Sequence, residues 1–257
     1  MSGFPEVYRQ ETALRPLVLL HGGNVANWMW EPQVAALTDR TVLTPDLPGF
    51  GERTGEIWPG LDAVADDLVA RVTEHGVTGS FDLAGLSLGA LTALRVLARH
   101  PDRVNSAFVT GAPLLPAGAG VRLFCLLQLR LWRAPWYWRA QSSAFGLPKD
   151  SRELYVSHGL SVRRETVAAM NAEVCAGGVP AGLRDYTGPL LALAGEKESA
   201  ATHRSLREIA RVAPQARVRL APGMHHIWNV EDADLFTGVL RAWLAGTVDA
   251  RLLPVRG

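Results

Sequence analysis

Short apolar runs alternate along the chain with stretches whose apolar residues recur at helical spacing, and each run ends in Gly, Pro or Asp. Leu17–Leu20 stops at His21-Gly22-Gly23, residues 41–44 at Pro45-Asp46, and residues 81–84 at Gly85. Residues 107–110 stop at Gly111, 190–194 at Gly195 and 218–221 at Pro222-Gly223. Continuous apolar runs of this length, closed by turn residues, predict strands buried on both faces of a parallel sheet. Residues 32–38, 61–75, 88–100, 203–212 and 233–244 predict the helices between them. The repeated βα period implies an α/β fold, a mostly parallel doubly wound sheet with helices on both faces.

One stretch breaks the period. Between Pro113 and Thr187 no convincing strand occurs, and so long a structureless loop is improbable in a compact domain. Residues 121–132 are apolar and helical, Trp136-Tyr137-Trp138 follow Pro135, and residues 151–174 carry Arg and Glu between apolar positions at helical spacing. The expectation is a helical cap (lid) over residues 114–186, inserted into a core made of 1–113 and 187–257.

Composition narrows the function classes. With 257 residues, 26 Lys+Arg against 25 Asp+Glu and a formal net charge of +1, the chain is long enough for one large α/β unit and lacks the basic excess of a nucleic-acid binder. Cys125 and Cys175 match no metal or redox spacing and are expected as buried structural thiols. The first ten residues have neither a basic nor an apolar leader region, and no apolar run is long enough to span a bilayer, so a cytoplasmic protein is expected. Nothing in the pattern asks for a metal or an organic cofactor.

The candidate chemistry begins at Gly85-Leu86-Ser87-Leu88-Gly89, directly after a predicted strand and directly before a predicted helix. A tight turn in that context needs small flanking residues and lifts a serine hydroxyl clear of the sheet, as a nucleophile requires. A serine needs a base, and His225 and His226 adjoin after the last strand. An imidazole base needs a carboxylate; Glu196 and Glu198 follow residues 190–194, and Glu198 lies deeper in the turn. Two backbone amides must face a developing oxyanion. Leu88, opening its helix, offers one, and Gly23 in the His21-Gly22-Gly23-Asn24 loop the other. Asn24, Trp30 and the aromatic set Trp132, Trp136, Tyr137 and Trp138 are candidate substrate contacts, although the last four also read as the cap's own core.

These residues together resemble the α/β-hydrolase superfamily over nearly the whole chain from Leu17 to Leu244. The resemblance rests on His21-Gly22, Trp30, the Asp46-x-x-Gly49-x-Gly51 stretch, the turn at Ser87, the Glu198 loop and the His226-to-Glu231 run. It implies Ser87 as nucleophile, His226 as base, since the His-x-x-x-x-Glu spacing prefers it over His225, and Asp46 as a structural residue. The chain departs from the pattern in carrying Glu198 where Asp is usual, His225 where Gly is usual, Arg53 after the Gly-x-Gly stretch, and a short opening hairpin. The expected activity is serine hydrolysis of an ester, lactone or thioester of an apolar small molecule, by a monomer or a homodimer. A small-molecule receptor, or a lyase or cyclase on the same scaffold, is the alternative.

Overall fold

The computed structural model describes residues 4–144 and 149–255. Eight strands form one sheet: β1 (Val7–Tyr8), β2 (Leu17–Leu20), β3 (Val42–Leu43), β4 (Phe81–Leu86), β5 (Val104–Thr110), β6 (Leu190–Gly195), β7 (Arg217–Ala221) and β8 (Leu253–Pro254). Their spatial order is β1-β3-β2-β4-β5-β6-β7-β8, parallel from β3 to β7 and antiparallel at both edges. The six predicted strands are therefore the central six. The two edge strands were not anticipated: β3 is as short but buried and closed by Pro45-Asp46, whereas β1 is half-buried and β8 exposed, so neither stands out as an apolar run. β1 is what remains of the opening hairpin.

The central strands β2, β4 and β6 are buried along their whole length, as continuous apolar runs require. Helices α1 (Glu31–Ala36), α2 (Leu61–Glu74) and α3 (Leu88–Arg99) follow the first strands. Helix α3 lies against β2, β4 and β5, and α2 packs on α3. The chain leaves β2 outward to β3, then crosses back to β4 on the other side. That reversal opens a crevice beyond the carboxyl ends of β2 and β4, where open α/β sheets hold their ligands.

Four helices fall between β5 and β6: α4 (Ala119–Leu131), α5 (Pro135–Ala144), α6 (Lys149–Ser161) and α7 (Arg164–Ala176). The expected helices at 121–132 and 151–174 are both present, the second broken near Val162 into α6 and α7. Trp132 and Trp138 form the insertion's interior: both are fully buried, meet edge-on at 4.5 Å, and donate their indole N–H groups to the Val162 and Trp132 carbonyls. Several contacts tie the insertion to the core, among them two that bear on the site. Glu173 of α7 accepts from the Trp58 indole (2.9 Å) and from the Leu61 amide that opens α2 (3.0 Å). His158 of α6 stacks on Phe50 at 6.4 Å and stands edge-on to Trp28, and burial pushes it down to about 4, so it is neutral. Cys125 and Cys175 are not buried as expected. They are half-buried, facing each other across α4 and α7 with Sγ atoms 3.8 Å apart.

The chain closes with α8 (Ala200–Val212), α9 (Trp228–Glu231) and α10 (Ala233–Leu244), the last packed on α1 and, through Phe236 against Phe108, on β5. No helix among the described residues is long and apolar enough to cross a membrane.

Candidate active site

Ser87 sits between β4 and α3 with φ 58° and ψ −113°, a conformation that costs a non-glycine residue on the order of 1–3 kcal/mol and persists only where its surroundings enforce it. They do so here. The Ser87 amide donates to the Thr110 carbonyl at 2.9 Å, and the Ser87 carbonyl accepts from Leu91 at 3.0 Å. A Cβ at Gly85 would strike the Gly89 backbone, and one at Gly89 would strike the Leu20 carbonyl. The two flanking glycines are thus required by close backbone approach, as the sequence pattern suggested.

The two candidate histidines separate by side-chain direction. His226 Nδ1 lies 2.7 Å from Glu198 Oε2, while the other Glu198 oxygen accepts the Gly195 amide at 2.9 Å; the Glu198 side chain is only 5% exposed. His225 instead pairs with Glu231 at 2.7 Å and is 62% exposed. Glu196 is spent on the Gly223 amide. Backbone bonds from Glu196 to the Ala221 carbonyl and from Lys197 to the Met224 carbonyl stitch the acid loop to the histidine loop. Among the described hydrogen bonds none joins the Ser87 hydroxyl to His226, and such bonds commonly tighten only around substrate.

A residue that sequence reasoning passed over lies beneath this pair. Gly111 has φ +66°, and a Cβ there would stand 2.7 Å from His226 Cε1 and 3.5 Å from Glu198 Oε1. The glycine that ends β5 gives the imidazole room; only its place after a strand hinted at this.

Ser87 and His226 both line two cavities. The smaller, about 220 Å³, is walled by Gly22, Gly23, Asn24 and Trp28 from the core and by Gln141, Tyr155, Met170 and Val174 from the insertion, among others. It includes Leu88 as well, and among its lining residues there is no Asp, Glu, Lys or Arg. The larger, about 980 Å³, adds Gly111, Phe124, Lys197, Glu198 and Glu231. The Leu88 amide is one of those that α3 cannot satisfy internally, and Gly23 lies beside it: a Cβ at Gly23 would touch Leu88 at 3.9 Å.

The aromatic expectations need correction. Trp30, Trp132, Trp136, Tyr137 and Trp138 line neither cavity. Trp30 is fully buried against Phe236 at 5.6 Å, because the tight turn over Asn27–Trp30 sends Trp28 to the cavity and Trp30 to the core. Trp132 and Trp138 fill the insertion's interior, Tyr137 accepts from the Gln141 amide, and Trp136 is 60% exposed. Trp138 instead supports Tyr155, a true wall residue, at 5.6 Å. Asn24 does line the smaller cavity, with φ 64°.

Asp46 accepts the Asn27 and Glu52 amides at 2.8 and 2.9 Å, which fixes the turn after β3. His21 is buried and pushed by that burial down to about 4; it accepts from the Leu47 amide through Nε2.

A model of the Alpha/beta hydrolase family matches residues 17–239. The chain belongs to the alpha/beta hydrolase family. The chain is 27% identical over 237 residues to 2-(acetamidomethylene)succinate hydrolase of Mesorhizobium japonicum, covering 86% of this chain and 84% of that one. It is 38% identical over 93 residues to a pimeloyl-acyl-carrier-protein methyl ester esterase of Aeromonas hydrophila, a match spanning only 35% of either length. Among solved structures, a thermophilic esterase from Thermogutta terrifontis superposes with a TM-score of 0.76 at 26% identity, covering 95% of this chain and 93% of that one.

Proposed function

We propose that this hydrolase is a serine esterase acting through an acyl-enzyme, with Ser87 as nucleophile, His226 as general base and Glu198 as the orienting carboxylate. The observation that carries the reading is that the strained Ser87 and the Glu198-bound His226 line the same two cavities. His226 Nδ1 is held by Glu198, which leaves Nε2 to take the Ser87 proton and return it to the leaving group. Ser87 Oγ bonds to the substrate carbonyl carbon, and the Gly23 and Leu88 amides receive the oxygen that gains charge. Collapse releases the alcohol or thiol; a water activated by His226 then cleaves the acyl-serine bond.

The two cavities suggest a division of labour. The smaller one, without a charged wall residue, suits a neutral, apolar acyl group. The larger one, bearing Lys197 and Glu231, suits the leaving group. Residues 114–186 then act as the cap of the acyl site. A fluorophosphonate probe is expected to label one serine, and Ser87→Ala to abolish labelling and lower kcat/KM on the order of 10⁴-fold. Neutral acyl esters should outrun acyl chains bearing a free carboxylate. Retained ester hydrolysis in Ser87→Ala would place the chemistry elsewhere.

A further inference from the structure

Helix α4 turns most of its circumference outward although its sequence is strongly apolar. Leu126 is 61% exposed, Leu123 57%, Val121 55%, Phe124 54% and Leu127 46%, and Trp136 at the start of α5 adds 60%. Of the residues of α4, Cys125, Gln128, Leu129 and Leu131 are turned at least partly inward. A surface helix ordinarily hides such residues, and contiguous apolar exposure marks a place that something else covers.

The charge carried by this segment itself is one-sided, the carboxylates that line the larger cavity with Phe124 being Glu198 and Glu231. Between Asp102 and Asp150 the chain contains no carboxylate. Arg122, Arg130, Arg133 and Arg139 fall on or beside α4 and α5, all exposed, and among the described residues none of them forms an ion pair. Elsewhere Arg53, Arg71, Arg95, Arg99 and Arg241 each rest on a carboxylate, while Arg9, Arg15 and Arg103 are like these four in donating to uncharged groups or solvent; what sets α4 and α5 apart is that four such arginines flank one apolar face. An apolar helix face with aromatic residues and unpaired arginines fits the boundary of an anionic lipid layer, which takes the side chains among its acyl chains and the guanidiniums among its headgroups. A second copy of this chain would instead bring like charges together.

We propose that α4 and the start of α5 dock the protein on anionic lipid surfaces. Phe124 belongs both to this face and to the wall of the larger cavity that holds Ser87 and His226. Docking therefore sets the mouth of the site against the layer in which an apolar substrate concentrates.

The test is co-sedimentation of the full chain with vesicles, made without any substrate. Phosphatidylcholine vesicles containing phosphatidylglycerol should bind about tenfold or more better than pure phosphatidylcholine, and salt near 0.5 M should weaken the difference. Leu123→Glu with Leu127→Glu should abolish binding, and Arg122→Glu with Arg130→Glu should remove the preference for anionic lipid. Melting temperature and hydrolysis of a water-soluble short ester should be unchanged in both. No binding by the wild type, or equal binding by the leucine variant, overturns the proposal. A dimer in sedimentation velocity that the leucine variant dissolves, without vesicle binding, would assign the face to self-association. Vesicle binding by a chain that hydrolyses no ester would leave the docking surface standing and remove the esterase reading alone.

Discussion

Two adjacent histidines make the same bond in different places. His225 and His226 each hold a glutamate at 2.7 Å through Nδ1. Glu231, which also takes the His225 amide, is a third exposed and fastens a surface loop; Glu198 is almost wholly enclosed, and its imidazole lines both cavities. Exposed pairs contribute at most about 1 kcal/mol, whereas a carboxylate enclosed with its partner leaves an uncompensated charge when that partner is removed. Bond length therefore does not single out the proposed catalytic pair. Burial of the carboxylate, and the place of His226 in the wall of both cavities beside Ser87, does.

The strongest way to break this contrast is to truncate the inner pair. His226→Ala is expected to lower kcat/KM by about 10⁴-fold and abolish probe labelling, and Glu198→Gln by about 10²–10⁴-fold, because the imidazolium loses its counter-charge. Steady-state kinetics with a chromogenic ester decides. Near-normal turnover in either variant would sink the assignment.

A Cβ beneath the inner pair is the next lever. Gly111→Ala must both adopt a positive φ and displace the His226 ring, so kcat should fall by about 10–10²-fold. Melting should change by only a few degrees, since the cost is confined to one turn. A variant with unaltered kcat would show that the ring does not need that space.

Two deeply buried imidazoles sharpen the comparison from the interior. His21 and His158 titrate near 4 in the fold and near 6.5 when unfolded. Between those values the unfolded chain binds protons that the native one refuses, so stability falls as pH drops from about 6.5 to 4 and levels off below. Each accounts for up to about 3 kcal/mol. Thermal melts from pH 7 to 4.5 should show the decline, and His158→Phe should flatten part of it; an identical slope in the variant would refute the attribution.

The smallest effect belongs to the outer pair. His225→Ala and Glu231→Gln are expected to change kcat/KM by less than about tenfold, through their place in the wall of the larger cavity and not through proton transfer. A loss comparable to that of His226→Ala would reverse the roles.

The sheet was legible because its central strands are buried on both faces and so appear as unbroken apolar runs ending at turns. Edge strands β1 and β8 escaped because they are not buried on both faces, unlike β3, which is as short but buried. The serine turn was legible because a collision of backbones demands Gly85 and Gly89. The aromatic wall was misread for a physical reason: Trp28 and Trp30 lie two residues apart on a tight turn, and composition cannot say which one faces the cavity. The indoles of Trp132 and Trp138 satisfy their N–H groups within the insertion, a use that sequence does not distinguish from a ligand wall. Gly111 left no signal beyond its position, because its role depends on a loop that begins more than a hundred residues later.

Helix α2 begins at Gly60 without a cap from its own neighbourhood, and the carboxylate that completes its first turn is Glu173 of α7. The first turn of a core helix is thus finished by a segment more than a hundred residues downstream. Departure of the insertion would fray α2, so the two must open together in native-state hydrogen exchange. The Leu61 amide, held by Glu173, then reports in its exchange rate how often that junction between α2 and α7 breaks.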